Sequence, residues 1–156
     1  VFDAQTVALL ESGCSICVAT VGPDGAPYAS RGFGVDVAPG RAQVRLLLDA
    51  DDHATLANLG AGGAVALTGV DVATMRAVQV KGVAGPPVPA SAPDEVARAN
   101  RHIDALVAAV HGIEGTPTGL IERIRPTAFA VCTVAVTEVF DQTPGPSAGS
   151  PLGARA

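Results

Sequence analysis

The residues able to do chemistry are sparse in this chain, and they gather in two strand-like stretches. In "TMRAVQVKGVAG", Thr74 to Gly85, the polar residues Arg76, Gln79 and Lys81 stand close together, with Gly82 and Gly85 among the residues that follow. In a strand, Gln79 and Lys81 share one face and Val78 and Val80 the other. The polar pair could therefore donate hydrogen bonds and a charge to one ligand, or simply present a lysine to solvent. In "PYASRGFGVDV", Arg31 precedes Gly32, Phe33 and Gly34. A cation beside backbone that lacks Cβ suits a flat ligand lying close against the chain, or equally a bend or bulge in a barrel wall.

The other reactive types resolve into structural roles. Cys14 and Cys17 have the C-x-x-C spacing of redox and zinc sites. "CSICVATV" reads as a strand, which sends the two thiols to opposite faces, so all of the cysteines, Cys132 included, are expected as small buried hydrophobes. His102 is expected partly exposed on a helix, and His111 at that helix's end, where it complements the dipole. None of the histidines has partners at metal-ligand spacing, so no metal site is expected. Ser15 and Ser30 lie in strands without an identifiable base for nucleophilic catalysis.

Composition excludes several classes of function. The net charge is −5 with no basic run, and aromatics are 3% with no tryptophan, which argues against a nucleic-acid partner. No apolar run is long enough to cross a bilayer, no signal peptide is evident and the cysteine count is odd, which together point to a reducing, cytoplasmic setting with no membrane partner. At 156 residues the chain is expected to be one domain, and 48% hydrophobic against 16% charged residues favours a dimer over a monomer.

The elements that must position these residues follow from periodicity and punctuation. "DAQTVALLES" reads as a short helix stopped at Gly13. "SICVATV", "APYASRGFGVDV" and "AQVRLLLD" read as a three-strand meander joined by "GPDG" and "PGR" turns. "DADDHATLANLGAGG" is a helix with acids at its start and glycines at its end. "AVALTGV" and "RAVQVKGVAG" are the next strands, and "GPPVPASAP" is a break in which neither helix nor sheet continues. From Pro93 onward Val96, Ala99, Ile103, Leu106, Val107 and Val110 recur at helical spacing, with Ser91 or Asp94 as cap. "GLIERI" is a further helical segment, "TAFAVCTVAVTEVF" a long last strand, and 143–156 a tail of ordered loop followed by loose residues. About five or six antiparallel strands with helices inserted imply a mainly β protein, a small closed or half-open barrel spanning 1–142.

This order, with "PYASRGFGVDV", "ATLANLGAGGAVAL" and "MRAVQVKG", resembles the FMN-binding split-barrel superfamily, which includes pyridoxamine 5′-phosphate oxidase and flavin reductase-like relatives. "VFDQTPGP" is similar to the end of one bacterial branch of that superfamily. The resemblance covers about Ala4 to Gln142 and implies an antiparallel Greek-key split barrel, paired as a homodimer with FMN in clefts between the subunits. It places Arg31 toward the FMN phosphate and the backbone of Gly32, Phe33, Gly34 and Val35 beneath the ring. Arg76 stands at a matching arginine, and Ala77 stands where the oxidase has a flavin-contacting glutamine. Gln79 or Lys81 could replace that contact. Asp49, His53, Thr55 and Val78 complete the cofactor-binding set implied by the resemblance.

The departures are as informative as the matches. Where the oxidase has an Arg-Lys pair for the phosphate, this chain has Ala54 and Thr55, preceded by Asp51, Asp52 and His53. Two carboxylates repel a phosphate dianion, while the helix N-terminus, His53 and Thr55 still offer donors. Asp36 replaces a substrate-contacting lysine, and the oxidase's C-terminal Arg-x-His is absent. These changes argue against oxidation of pyridoxamine phosphate. The resemblance implies an FMN-dependent oxidoreductase acting on a small molecule, with NAD(P)H as reductant. Such a cofactor carries the electrons itself, so the lack of a catalytic triad does not count against it. The alternative is a non-catalytic dimeric barrel that binds haem, a deazaflavin or nothing.

Overall fold

The computed structural model describes residues 2–40 and 42–152. Asp3 opens α1 (Ala4–Glu11) by accepting the Thr6 N–H at 2.6 Å. Gly13, at φ +88°, then turns the chain into the first strand. The strands are β1 (Ser15–Val21), β2 (Pro27–Val37), β3 (Gln43–Asp49), β4 (Ala64–Val70), β5 (Ala77–Ala84), the short β6 (Val88–Pro89) and β7 (Phe129–Asp141). Helix α2 (His53–Gly60) follows β3, α3 (Pro93–Glu114) follows β6, and α4 (Thr118–Ile121) leads through a 3-10 turn at Glu122–Ile124 to β7.

All strand pairs are antiparallel, in the order β3-β2-β1-β4-β5-β7-β6. A further pairing of β3 with β7, from Gln43 opposite Ala135 to Asp49 opposite Phe129, closes six of the strands into a barrel. Inward-facing Ile16, Val18, Val35, Val44, Leu46, Leu48, Leu67, Val78 and Val80 fill it. The ends are plugged by helices. Leu9 and Leu10 of α1 reach the Gly69 end, and Leu59 of α2 joins the core at the other, where Asn58 donates to the Thr20 hydroxyl at 3.0 Å.

A second apolar cluster lies outside the barrel. Ala99, Ile103 and Val107 of α3 cover Phe33, Leu47, Phe129 and Val131, with the two phenyl rings tilted at 6.2 Å between centroids. Ion pairs from Arg45 to Glu95 and from Arg98 to Asp36 (3.1 Å) fix the start of α3 to β3 and β2. Arg125 holds the middle of the helix, bonding Asn100 and Asp104 there and Glu122 on its own segment. Helix α3 thus covers the outer face of β2, β3 and β7.

Several expectations are corrected. Neither Ser91 nor Asp94 caps α3: Ala92 occupies that position, and Glu95 reaches back to its N–H at 3.3 Å. Within the proline-rich break, Val88 and Pro89 do pair with β7, at an edge where proline's missing N–H is tolerated. Cys17 is exposed, unlike Cys14 and Cys132, because it is the one thiol on an outward strand position. The loop after β7 folds back, with the Leu152 N–H donating to the Val139 carbonyl at 2.7 Å; the loose end expected beyond it lies outside the described residues.

His102 is buried at 5% exposure rather than partly exposed, because its face of α3 meets the start of β1. Its Nε2–H donates to the Cys14 carbonyl at 2.9 Å. Burial lowers the imidazole pKa from its ordinary 6.5, against the opposing effect of that hydrogen bond. Between the folded value and 6.5 the unfolded chain binds the extra proton and the folded one does not. Stability from this group is therefore complete above pH 6.5 and falls as pH drops toward and through the folded value. Urea midpoints measured from neutral pH downward should decline for the parent and decline less steeply for His102→Gln.

Gly82 answers a packing demand. Lys81 pairs with Glu138 but Gly82 with Val136, so Thr137 is an extra residue bulged from β7, its hydroxyl donating to the Lys81 carbonyl at 3.2 Å. A Cβ on Gly82 would run into the Ala135 carbonyl and the Val134 side chain. Gly82→Ala should cost about 1–3 kcal/mol of stability, read from the shift in urea midpoint, by forcing two backbones apart.

Candidate functional site

With α3 on one side and the ends plugged, the outer face of β1, β4 and β5 is left bare. Register makes it a grid. Cys17 of β1 stands opposite Arg31 of β2 and Thr68 of β4; Thr68 stands opposite Gln79 of β5, and Gln79 opposite Phe140 of β7. The next row is Ala29, Ala19, Ala66, Lys81 and Glu138. Except for Val21 and Val70 at their ends, the outward positions of β1 and β4 are small: Ser15, Cys17 and Ala19, then Ala64, Ala66 and Thr68. A solvated sheet face ordinarily carries long polar side chains there.

The polar side chains of the wall are set across it. Gln79 Nε2 donates to the Thr68 hydroxyl at 3.2 Å, and Lys81 Nζ sits 4.7 Å from the centre of the Phe140 ring. Arg31 is exposed and makes no ion pair among the described residues. Beside it a recess of about 220 Å³ is lined by Ser15, Ile16, Cys17, Ala29, Ser30 and Arg31. A flat apolar ring can lie on such a floor, with Arg31 at its edge and Gln79 further along the same row.

Across the sheet from the recess, on the inward side of β2 where Ser30 stands opposite Val18, the start of α2 is acidic. The Ser30 hydroxyl donates to Asp52 Oδ2, and the N–H of Thr55 donates to Asp52 Oδ1 at 3.1 Å, which caps α2. Partial burial raises the Asp52 pKa, but hydrogen bonds from Ser30, Thr55 and Tyr28 outweigh it and hold the carboxyl below its ordinary value. Asp49 and Asp51 precede it, Asp49 Oδ1 accepting the Asp51 N–H at 2.9 Å. His53 is exposed, and Thr55 is fully buried with its hydroxyl unpaired.

The residues expected at the cofactor therefore divide. Arg31, Gln79 and Lys81 share the wall. Asp49 ends β3, and His53 and Thr55 belong to the start of α2. Val35 and Val78 are core residues, and Phe33 lies under α3. Of the two readings of "RGFG", packing accounts for the bulge: pairing with β3 shifts register between Gly32 and Gly34. A Cβ on Gly32 would stand 2.6 Å from Ile16, and Gly34, at φ +151°, faces Leu47 and α3. Neither glycine opens onto the recess.

Arg76 is apart from all of these. Asp3, Asp71 and Asp141 lie below the usual carboxylate range, first through N–H groups of Thr6, Ala73 and Thr143 and then through the Arg76 charge. Arg76 thus sits where α1, the β4–β5 turn and the returning loop meet.

Thr68 and the wall alanines were not singled out from the sequence, and Cys17 was weighed there only for redox or zinc chemistry. Their signal was present: up to the closing valines, every second residue of "SICVATV" and "AVALTGV" on the outward side is small. Among the described residues no group of three or more His, Cys, Asp or Glu could hold a metal ion, and no helix is long and apolar enough to cross a membrane.

No protein-family model matches the chain, and no curated protein matches it. Solved structures do. A tagged HupZ of Group A Streptococcus superposes with a TM-score of 0.58 at 19% identity, over 95% of this chain and 100% of that one. An F420 reductase gives 0.58 at 20% identity, over 89% and 98%. A Clostridium acetobutylicum protein related to general stress protein 26 of B. subtilis, of the pyridoxinephosphate oxidase family, gives 0.55 at 12% identity, over 97% and 92%. The fold is the pyridoxamine 5′-phosphate oxidase-like split barrel.

The expected FMN can now be tested against this split barrel. Its ring fits the wall, where small side chains leave a flat floor beside a free guanidinium. Its phosphate does not fit the start of α2: Asp52 already takes the Thr55 N–H and the Ser30 hydroxyl, and no lysine or arginine lies in α2.

Proposed function

We propose that the bare wall seats the ring of a flavin-type cofactor between two copies of the chain, and that the protein is an oxidoreductase acting on a small molecule with NAD(P)H as reductant. FMN and a deazaflavin are the candidate cofactors. The observation that carries this reading is the small-residue floor of β1 and β4 crossed by the row Arg31, Cys17, Thr68 and Gln79. The names of two structural neighbours, an F420 reductase and a member of the pyridoxinephosphate oxidase family, support it.

A second copy completes the site in this reading. The recess is open, and its floor needs a roof to exclude water from a ring. Val21 and Val83 are each 49% exposed on the wall's outward positions, and a symmetric dimer is the commonest way to cover such a face. The bound group would supply the electron chemistry, and this chain's residues would orient it and shield it.

Titration with flavin and deazaflavin, followed by fluorescence quenching, tests cofactor binding, and sedimentation tests assembly. The expected result is a dimer at micromolar concentration that quenches at least one of these rings. A monomer that quenches none of them would overturn the reading. Arg31→Ala should weaken binding about tenfold to a hundredfold, the scale of a lost charge-assisted hydrogen bond. Arg76→Gln, which removes the guanidinium that balances Asp3, Asp71 and Asp141, should leave affinity unchanged.

A further inference from the structure

We propose that the cleft between α1 and α3 binds a small zwitterion, an α-amino acid with an apolar side chain, its ammonium toward Glu11 and its carboxylate toward Arg101. The site stands apart from the wall, because no residue lines both this cleft and the recess beside Arg31. It does not depend on which cofactor the wall takes.

The cleft opens beside the point where α3 crosses the turn after α1. Gly13 permits that crossing, since a Cβ there would stand 2.5 Å from the Ala105 Cβ and 3.0 Å from the His102 carbonyl. Next to it a space of about 210 Å³ is bounded by Glu11 and Ser12 on the α1 side, by Arg98, Arg101 and Ala105 of α3, and by the buried Val35 of β2. Arg98, Arg101 and Ala105 share one face of α3 by their spacing.

Charges of opposite sign line the two sides and are held apart. The Val37 N–H donates to Glu11 Oε1 at 2.9 Å, which ties that side chain to β2. Glu11 makes no ion pair among the described residues, and neither does Arg101. Arg98 is matched by Asp36 at 3.1 Å, so the guanidinium without a counter-charge is that of Arg101. Helix α1 ends at Glu11, which puts the negative end of its dipole on the same side as the carboxylate. His102 also lines the cleft, with its Nε2–H committed to the Cys14 carbonyl. Burial lowers its pKa, so it adds no charge at neutral pH. A simple anion here would gain Arg101 and be repelled by Glu11, and a simple cation the reverse. A ligand carrying both charges satisfies both sides and leaves the net charge of the cleft unchanged. Val35 and Ala105 offer no polar partner, which suits an apolar side chain on that ligand.

The test titrates the parent protein with L-leucine, with 4-methylpentanoate, which lacks the ammonium, and with 3-methylbutylamine, which lacks the carboxylate, following backbone amide shifts by NMR. L-Leucine should move the signals of Gly13, Arg101 and Ala105 saturably and bind about tenfold tighter than either analogue, the scale of one charge-assisted hydrogen bond at a partly exposed site. Arg101→Gln should weaken L-leucine about tenfold and leave the amine unchanged. Glu11→Gln, whose amide oxygen can still accept the Val37 N–H, should weaken L-leucine by a similar factor and leave 4-methylpentanoate binding no weaker. Absence of any saturable shift at these residues with L-leucine would overturn the proposal. Equal affinity for L-leucine and 4-methylpentanoate, indifferent to Glu11→Gln, would overturn it too, by making the cleft a plain anion site; neither result bears on the wall.

Discussion

The structure depends on one strand having neighbours on both sides. β7 pairs with β3 through its first half and with β5 through its second, and this double pairing turns a curled sheet into a closed barrel. Closure removes the open edges that a chain of this apolar content would otherwise expose to other strands. It also divides every strand between a filled interior and an outer face. Gly82 and the bulge at Thr137 belong to the same constraint, because β7 passes β5 so closely that one side chain had to be absent.

Once the barrel closes, the outer wall must be covered, and the chain covers it unequally. α3 is anchored by Arg45 and Asp36 near its start and by Arg125 at its middle, and it spreads Ala99, Ile103 and Val107 over the β2–β3–β7 side. The β1–β4–β5 side receives no helix. Its small side chains minimise the apolar area left exposed while keeping the surface flat enough for another flat surface to approach. A wall designed only for solvent would favour long charged side chains, which both dissolve the protein and discourage edge and face pairing. Ala19, Ala29 and Ala66 do neither.

Much of this was legible in the sequence because strands and helices carry their period locally. β1, β2, β3, β4, β5 and β7 and the long α3 follow from alternation, helical spacing and the glycine and proline stops between them. What escaped was set by neighbours far away in sequence. His102 is buried only because α3 crosses the start of β1. Val88 and Pro89 form a strand only because β7 offers an edge there. Ala92 can cap α3 because Glu95 supplies the hydrogen bond from inside the helix. The wall itself required register: Arg31, Cys17, Thr68 and Gln79 belong to separate stretches of sequence and become one row only when the pairing is known.

The acidic start of α2 shows how a local solution for folding uses up hydrogen-bond donors that a helix N-terminus would otherwise offer. A helix that plugs a barrel end needs its first N–H groups satisfied, and Asp52 does this while also fixing Ser30 of β2, so one carboxylate joins helix to wall. An arrangement built to hold phosphate would leave those same donors free and place cations beside them, accepting a weaker cap until ligand arrived. The two demands compete for one set of hydrogen bonds. In this chain the fold holds them permanently, with a carboxyl whose pKa lies below its ordinary value and which therefore stays ionised throughout the neutral range. The donors at this end of the barrel are therefore set by how α2 is fastened to β2, and Asp52 holds them on the inward side of the strand whose outer face carries Arg31.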